Sequence, residues 1–320
     1  MHKIWNDKPY YSLNTYFKNV YGEKIYKVAL DGGMTCPNRD GSLDTRGCIF
    51  CSEGGSGEFA ASFDRLHPNI GAQLAIGKEF IKDKNPSGKF VAYFQPFTNT
   101  YAPIPYLRAL YTAALLDDDV VGLSIATRPD CLSGPVLELL EDLKMEYPDK
   151  FIWIELGLQT ILRQSAEYIR RGYDLSVFET AVRNLHAISI PTIIHIILGL
   201  PGETKADMLS AIEYLNTFPI FGIKLQLLHV LRGTDLAHDY ADRKFEVLSQ
   251  TEYTDILIDC IEHLSPEIVI HRLTGDGPKE LLLAPLWSTN KKGVLNTLLK
   301  EMKIRGSYQG KKYTSSPFTI

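Results

Sequence analysis

Six short apolar runs rich in Val, Ile, Tyr and Phe recur along the chain, at 25–30, 90–95, 120–126, 151–158, 192–198 and 222–230, and their spacing constrains the fold more than any other feature. After the first, their starts lie about 30, 31, 41 and 30 residues apart, the length of a strand, a crossover helix and two short loops. Apolar positions with helical spacing follow each run. The pattern predicts an α/β fold, a parallel sheet with helices outside. Ser176 with Glu179, and Thr204 with Asp207, stand in or near capping-box positions ahead of Val182, Leu185, Ala211 and Leu215, and predict helix starts there. From the first run to the second is about 65 residues, and this surplus reads as a functional insertion. No sequence repeat or low-complexity linker divides the chain, which reads as one domain with a tail.

Side chains alternate faces along a strand, so each run can be read face by face. In 153–159 one face is Trp153, Glu155, Gly157 and Gln159 and the other is aliphatic. In 222–230 one face carries Lys224, Gln226 and Leu228, and in 192–198 His195 sits between Ile193 and Ile197. Outer helices would bury the aliphatic faces and leave the polar ones inside a curved sheet. A packed barrel core uses branched aliphatics there, so polar groups imply a ligand-filled lumen.

The insertion holds three of the five cysteines, Cys36, Cys48 and Cys51, spaced C-x11-C-x2-C. An odd count with three clustered thiols argues for a metal site over disulfides. Three thiolates can hold three irons of a 4Fe-4S cube and leave the fourth open; the competing reading is zinc completed by a residue such as His67. Cys260 shares a helical face with Leu257, Ile261 and Leu264 and reads as core, while Cys131, after the third run, reads as structural.

The composition, 45% hydrophobic and 22% charged, is that of a globular protein. The longest apolar runs fall far short of the roughly 20 residues that cross a bilayer, and the first residues lack a signal-peptide core. The expectation is a cytoplasmic protein with no membrane partner. Net charge is −4, yet residues 1–30 carry five Lys against two acids, and residues 291–320 carry seven Lys and Arg against Glu301. Two readings stay open: solvating tails, or ends that meet on one phosphate-binding surface.

With the cysteine spacing stand Cys-Ser-Glu-Gly-Gly-Ser-Gly (51–57), Tyr-Phe-Gln-Pro-Phe-Thr-Asn-Thr-Tyr (93–101), Thr-Arg-Pro-Asp-Cys-Leu (127–132), Glu-Leu-Gly-Leu-Gln-Thr (155–160), Gly-Leu-Pro-Gly-Glu-Thr (199–204) and Leu-His-Val-Leu-Arg-Gly-Thr (228–234). In this order the sequence resembles the radical S-adenosylmethionine superfamily, within it the Elongator-catalytic-subunit-like branch, and there the YhcC/YtqA-type family. The resemblance implies a partial (β/α)6 TIM-like barrel with an iron-sulfur loop after the first strand, plus a short basic C-terminal extension. Residues 1–265 would form the core domain, with a basic segment at 1–24, and residues 266–320 the extension, a surface for substrate or RNA.

The same resemblance implies two cofactors, a 4Fe-4S cluster on Cys36, Cys48 and Cys51 and S-adenosylmethionine on its open iron. Phe50 would shield the cluster, Gln95 and Thr98 would lie by the methionine amino group, and Gln159 and Arg171 would hold ribose and carboxylate. His195 and Val230 complete the implied cosubstrate contacts, His195 being equally readable as a satisfied core histidine. Lys224, Gln226 and His195 are the catalytic candidates. With only Cys131 and Cys260 left over, a second three-cysteine cluster is excluded, and about 55 residues after the barrel leave no room for an acetyltransferase domain.

The resemblance further implies tRNA modification, for the YtqA branch the shortening of 5-carboxymethylaminomethyl to 5-aminomethyl at the wobble uridine. Lys291, Lys292, Lys311 and Lys312, interleaved with Trp287, Tyr308 and Tyr313, are the RNA-contact candidates. A reductant such as flavodoxin or ferredoxin would be a second partner. The rivals are a radical enzyme acting on a porphyrin-like metabolite and a non-catalytic zinc RNA-binding module.

Overall fold

The computed structural model describes residues 5, 8–55, 57, 68–84, 88–275 and 277–314. Each of the six expected runs forms a parallel strand: β1 (Tyr26–Leu30), β2 (Phe90–Phe94), β3 (Val120–Thr127), β4 (Phe151–Gln159), β5 (Thr192–Leu198) and β6 (Gly222–Leu227). The last run breaks after Leu227, and Val230–Leu231 forms a separate short strand, β7. A seventh parallel strand, β8 (Val269–Arg272), joins the sheet beside β6, giving the order β1-β2-β3-β4-β5-β6-β8, while β9 (Leu282–Ala284) pairs antiparallel with β7. The extension therefore continues the expected partial barrel by one strand.

The helices outside the sheet are α2 (Ile70–Ile81), α3 (Ile104–Leu115), α4 (Gly134–Glu146), α6 (Leu175–Ala187), α7 (Lys205–Leu215) and α9 (Gln250–His263), after α1 (Leu13–Tyr21) and with the short α5 (Arg163–Tyr168) and α8 (Asp235–Ala241) in loops. They cover the aliphatic strand face, where Ile154, Leu156, Leu158, Ile194 and Ile196 are buried in one continuous core. Each such side chain removed from water contributes about 1.5–3 kcal/mol. Cys260 is part of this core. Thr204 and Asp207 form the expected capping box of α7. The Ser176 start is corrected: α6 begins at Leu175 with Asp174 as its N-cap, and Ser176 lies inside the first turn.

The sheet curls until opposite strands touch. Lys27 on β1 reaches Glu155 on β4 at 2.6 Å, and Lys224 on β6 reaches Tyr93 on β2 at 3.0 Å. At the strands' N-terminal end an aromatic plug closes the lumen. Trp153 stacks on Phe151 at 4.0 Å between ring centroids and on Phe17 of α1 at 5.7 Å, with Tyr16 and Phe221 packed edge-on. Access is thus from the C-terminal ends of the strands, where the loops are.

The described segments around Pro9–Tyr11 and Gln309 meet beneath this plug. Gln309 donates from its backbone to Pro9, accepts from the Tyr11 N–H at 2.8 Å, and donates its amide to the carbonyls of Ser265 and Ile268. The final helix, α10 (Lys291–Arg305), packs on α9. Among the described residues, no helix is long and apolar enough to cross a membrane.

Candidate active site

The cysteine loop is shaped by its own backbone. The chain turns tightly at Cys36–Asp40, and Gly47, at φ +77°, lies where a Cβ would come within 2.9 Å of Arg39 Nε. Arg39 donates to the carbonyls of Cys51 and Ser52 at 2.9 and 2.6 Å, tying the two halves of the loop together. Asn38 donates from Nδ2 to Cys48 Sγ at 3.4 Å and to the Arg170 carbonyl at 2.6 Å, and the Ile49 N–H donates to Ile169 O. The thiols are thereby fixed against the loop that follows β4.

Cys36, Cys48 and Cys51 line one cavity of about 240 Å³, together with Phe50, Gln95, Thr98, Gln159, Arg171, His195, Lys224 and Gln226. Eleven of the twelve residues expected to serve cluster, cosubstrate or catalysis line this cavity, Val230 being the exception. Burial pushes the Cys48 thiol up to about 12, with the neighbouring Cys51 and Cys36 adding to it and Arg128 and Asn38 opposing. Such a thiol is protonated at neutral pH and releases its proton to a metal. Among the described residues, no three His, Cys, Asp or Glu side chains converge on a single-ion site, and His67 lies outside those residues. Three cysteines lining one cavity are a donor set that fits a 4Fe-4S cluster, whose thiolate ligands bind separate corners.

Gln159 supplies a second sign of a missing partner. Its backbone is left-handed at φ +69°, and its Oε1 is buried without a hydrogen-bond partner. A Cβ at Gly157 would stand 2.8 Å from Gln159 Nε2, so glycine is needed there for the amide to lie as it does. A strained residue holding an unsatisfied amide in a cavity is what ligand binding would relieve.

Two of the residues expected to contact the cosubstrate make other contacts here. Arg171, 4% exposed, spends its guanidinium on backbone, donating to the carbonyls of Leu158, Thr160 and Tyr173 at 2.7–3.2 Å. It braces the loop that carries Gln159. The Val230 side chain is buried in a small cluster with Ile49, Ile169 and Ile197, while its neighbours His229 and Leu231 line the cavity. The break after Leu227 shifts the alternation and turns Val230 away.

The lumen floor is a charged layer to which every strand of the large sheet contributes: Lys27, Tyr93, Ser124, Glu155, His195, Lys224 and Arg272. Register explains part of it, because Tyr93 pairs with Ser124, His195 with Lys224, and Lys224 with Arg272, and paired residues share a face. Glu155 is fully buried at its centre. Oε1 accepts from Lys27 and Ser124, both at 2.6 Å, and Oε2 accepts from Lys224 and from His195 at 2.8 Å. Burial alone would raise the carboxyl pKa, but Lys224 and Lys27 outweigh it and hold Glu155 well below the ordinary range. Burial lowers Lys224 to about 7 against the pull of Glu155, with Lys27 and Arg272 adding to the depression. Burial, then Lys224, lowers His195 to about 4, so its ring is neutral and its Nε2–H donates to Glu155.

The sequence reading placed Glu155 on the inner face without giving it a role, and it did not single out Lys27, Ser124, Arg272, Asn38 or Arg128. Arg128 lines the cavity near Cys36 and Cys48 and is paired bidentately with Asp130 at 2.9 and 2.7 Å. Cys131, beside Asp130, has its carbonyl bound by Thr100 and lines a separate surface groove.

The basic tail divides. Lys312 pairs with Asp259 at 2.8 Å and Glu262 at 2.6 Å, and Lys311 with Glu262 at 3.5 Å. Both fold back onto α9, where these acids answer their charge. Lys291 and Lys292 begin α10 instead, and Lys291 lies close enough to the cavity to help depress His229.

A profile of the Radical SAM superfamily matches residues 45–215, and one of the Radical SAM C-terminal domain matches 220–304. The chain is 43% identical over 305 residues to YtqA of Bacillus subtilis strain 168, covering 95% of this chain and 93% of that one. It is 34% identical over 296 residues to YhcC of Escherichia coli K12, covering 91% and 92%. Among solved structures, the archaeal Methanocaldococcus infernus Elp3 with an N-terminal deletion superposes with a TM-score of 0.67 at 16% identity, covering 89% of this chain; the chain spans 64% of that Elp3. The curled seven-strand sheet, the three thiols on its first long loop and these relatives lead to one conclusion: the chain belongs to the radical S-adenosylmethionine superfamily, whose cofactors are a 4Fe-4S cluster and S-adenosylmethionine.

Proposed function

We propose that the chain is a single-cluster radical enzyme that modifies tRNA, converting 5-carboxymethylaminomethyl to 5-aminomethyl at the wobble uridine. The observation that carries the reading is that the three thiols and the charged floor share one cavity closed at the far end by the aromatic plug. When bound, the reduced cluster and S-adenosylmethionine supply a 5′-deoxyadenosyl radical for hydrogen abstraction from substrate.

The chain's own residues do the rest. Cys36, Cys48 and Cys51 hold the cluster, Asn38 steadies the Cys48 sulfur, and Arg128 offsets the negative charge of the thiolates. Phe50 shields the cluster from solvent. Gln159, with Gln95 and Thr98 on the adjoining loop, positions the cosubstrate, and Arg171 keeps the Gln159 loop rigid. The plug and the helices exclude water from the lumen, which protects a radical from quenching. His195, neutral and oriented by Glu155 through Nε2, offers Nδ1 as an acceptor for a substrate N–H. Lys291 and Lys292 contact phosphate near the mouth, and a flavodoxin- or ferredoxin-type protein supplies the electron.

The test is nucleoside mass spectrometry of tRNA from cells lacking the protein. The proposal expects 5-carboxymethylaminomethyluridine to accumulate and 5-aminomethyl-derived nucleosides to disappear. Unchanged nucleosides would overturn it in favour of a small-molecule substrate.

A further inference from the structure

The charged floor holds an ammonium whose donors are not all used among the described residues. Among the described residues lining the cavity, Glu155 is the sole carboxylate, against Arg39, Arg128, Arg171, Lys224 and Arg272, with Lys27 beside it. Towards the cysteines the cations are committed, Arg39 and Arg171 to backbone carbonyls and Arg128 to Asp130. At the floor the accounting differs. Both Glu155 oxygens already accept two donors each, so the carboxylate has no capacity left for an incoming group.

Lys224 does have capacity. It is 3% exposed, yet its side chain lines the cavity. Of its three N–H groups, one goes to Glu155 and one to Tyr93 Oη at 3.0 Å; the third has no partner among the described residues. Arg272 is its ladder partner on β8 and lines the same wall. A buried ammonium with a spare donor facing a lumen whose one described carboxylate is saturated is a ready contact for an incoming anion.

We infer that Lys224 and Arg272 form the anion site of the lumen and bind a carboxylate of the substrate, with Glu155 as the positioning residue that fixes the Lys224 ammonium. A planar guanidinium beside a point charge suits a carboxylate. A phosphodiester belongs to a continuing chain, which would have to thread the plug built by Phe17, Phe151 and Trp153; only a terminal anionic group can reach the floor. Gln226 lies two residues beyond Lys224 on the same face, toward the cysteines, so the carboxylate sits below the cosubstrate. The inference rests on the tRNA reading only in naming the carboxylate's source, the carboxymethyl group to be removed.

The test uses the anaerobically reconstituted holoenzyme with S-adenosylmethionine and two probes, N-methylglycine and methylamine, titrated by calorimetry. N-methylglycine is expected to bind and methylamine not. Lys224→Met and Arg272→Met are each expected to weaken N-methylglycine binding roughly 30-fold or more, as for loss of one partner of a desolvated charge pair. Lys224→Arg, which keeps the charge, is expected to stay within about tenfold of wild type, and iron content reports folding throughout. A second arm compares tRNA bearing 5-carboxymethylaminomethyluridine with tRNA bearing 5-aminomethyluridine, the first binding tighter to wild type and the preference vanishing in Lys224→Met. Equal binding of the two small probes, or a Lys224→Met variant that keeps wild-type affinity for N-methylglycine, would overturn the inference. Lys224-dependent binding of N-methylglycine without turnover of either tRNA would support the anion site and count against the tRNA reading alone.

Discussion

Replacing Glu155 by Gln changes one buried atom and strips the floor of its negative charge. The side chain is fully buried, Lys224 is 4% and Lys27 19% exposed by side chain, so solvent screens little of the interaction. Removing one partner of a buried ion pair costs about 3–5 kcal/mol, because the remaining charge stays desolvated. Lys224, already lowered to about 7 by burial, can escape by losing its proton, which puts the expected cost near the lower bound, about 3 kcal/mol at pH 7. The sign with pH follows: Glu155 is what holds the Lys224 pKa up, so without it the stranded lysine loses its proton below pH 7, and the variant's deficit shrinks from pH 5 to pH 7 and is level above. In the parent, Glu155 is held below its ordinary value, so its contribution is present above about 4.5 and is lost as pH falls through the lowered pKa. Urea unfolding at both pH values measures this, with Arg163→Gln, at the exposed Arg163–Glu167 pair, as a surface control expected within about 0.5 kcal/mol. Adding Lys224→Met to Glu155→Gln should recover at least about 1 kcal/mol relative to the sum of the single changes. A Glu155→Gln cost below about 1 kcal/mol, or strict additivity, would refute the hub.

Three further outcomes are expected. Gln159→Gly should unfold at higher denaturant than Gln159→Ala, by about 1 kcal/mol, because only glycine relieves the left-handed backbone, while both weaken S-adenosylmethionine binding in a direct titration. Affinity for N-methylglycine should fall as pH rises through about 7, where Lys224, faced by Glu155, Lys27, Tyr93, His195 and Arg272, loses its proton; a flat titration from pH 6 to 9 would exclude Lys224 as the contact. Changing Lys291 and Lys292 to Glu should weaken tRNA binding and flatten its salt dependence by up to about two units of log-log slope, whereas Lys312→Glu should chiefly lower stability by setting like charges against Asp259 and Glu262.

The strand-helix rhythm was legible because a parallel sheet covered by helices forces both the apolar runs and their spacing. The polar lumen was legible for the same reason, since alternation along β4, β5 and β6 puts Glu155, Gln159, His195, Lys224 and Gln226 on one side before any partner is known. What could not be read was who meets whom across the lumen. Lys27 and Glu155 are 128 residues apart, and only the curl of the sheet brings them together. β8 escaped notice because four residues, Val269–Arg272, are too short to carry a pattern. The backbone contacts of Arg171 were not legible because the carbonyls of Leu158, Thr160 and Tyr173 are brought to it only by the folded loop. Lys311 and Lys312 looked basic in sequence because the acids that answer them lie on α9, some fifty residues away.

The central claim is that Cys36, Cys48 and Cys51 carry a cluster that activates S-adenosylmethionine. The most direct measurement is iron per chain together with 5′-deoxyadenosine formed after anaerobic reconstitution, with reductant, S-adenosylmethionine and tRNA bearing 5-carboxymethylaminomethyluridine. The account predicts about four irons per chain, 5′-deoxyadenosine formation that rises with this tRNA, and loss of both signals on changing any one of the three cysteines to Ala, while Cys260→Ala keeps both. Stoichiometric zinc without iron, or 5′-deoxyadenosine formation that survives the Cys48→Ala change, would contradict it.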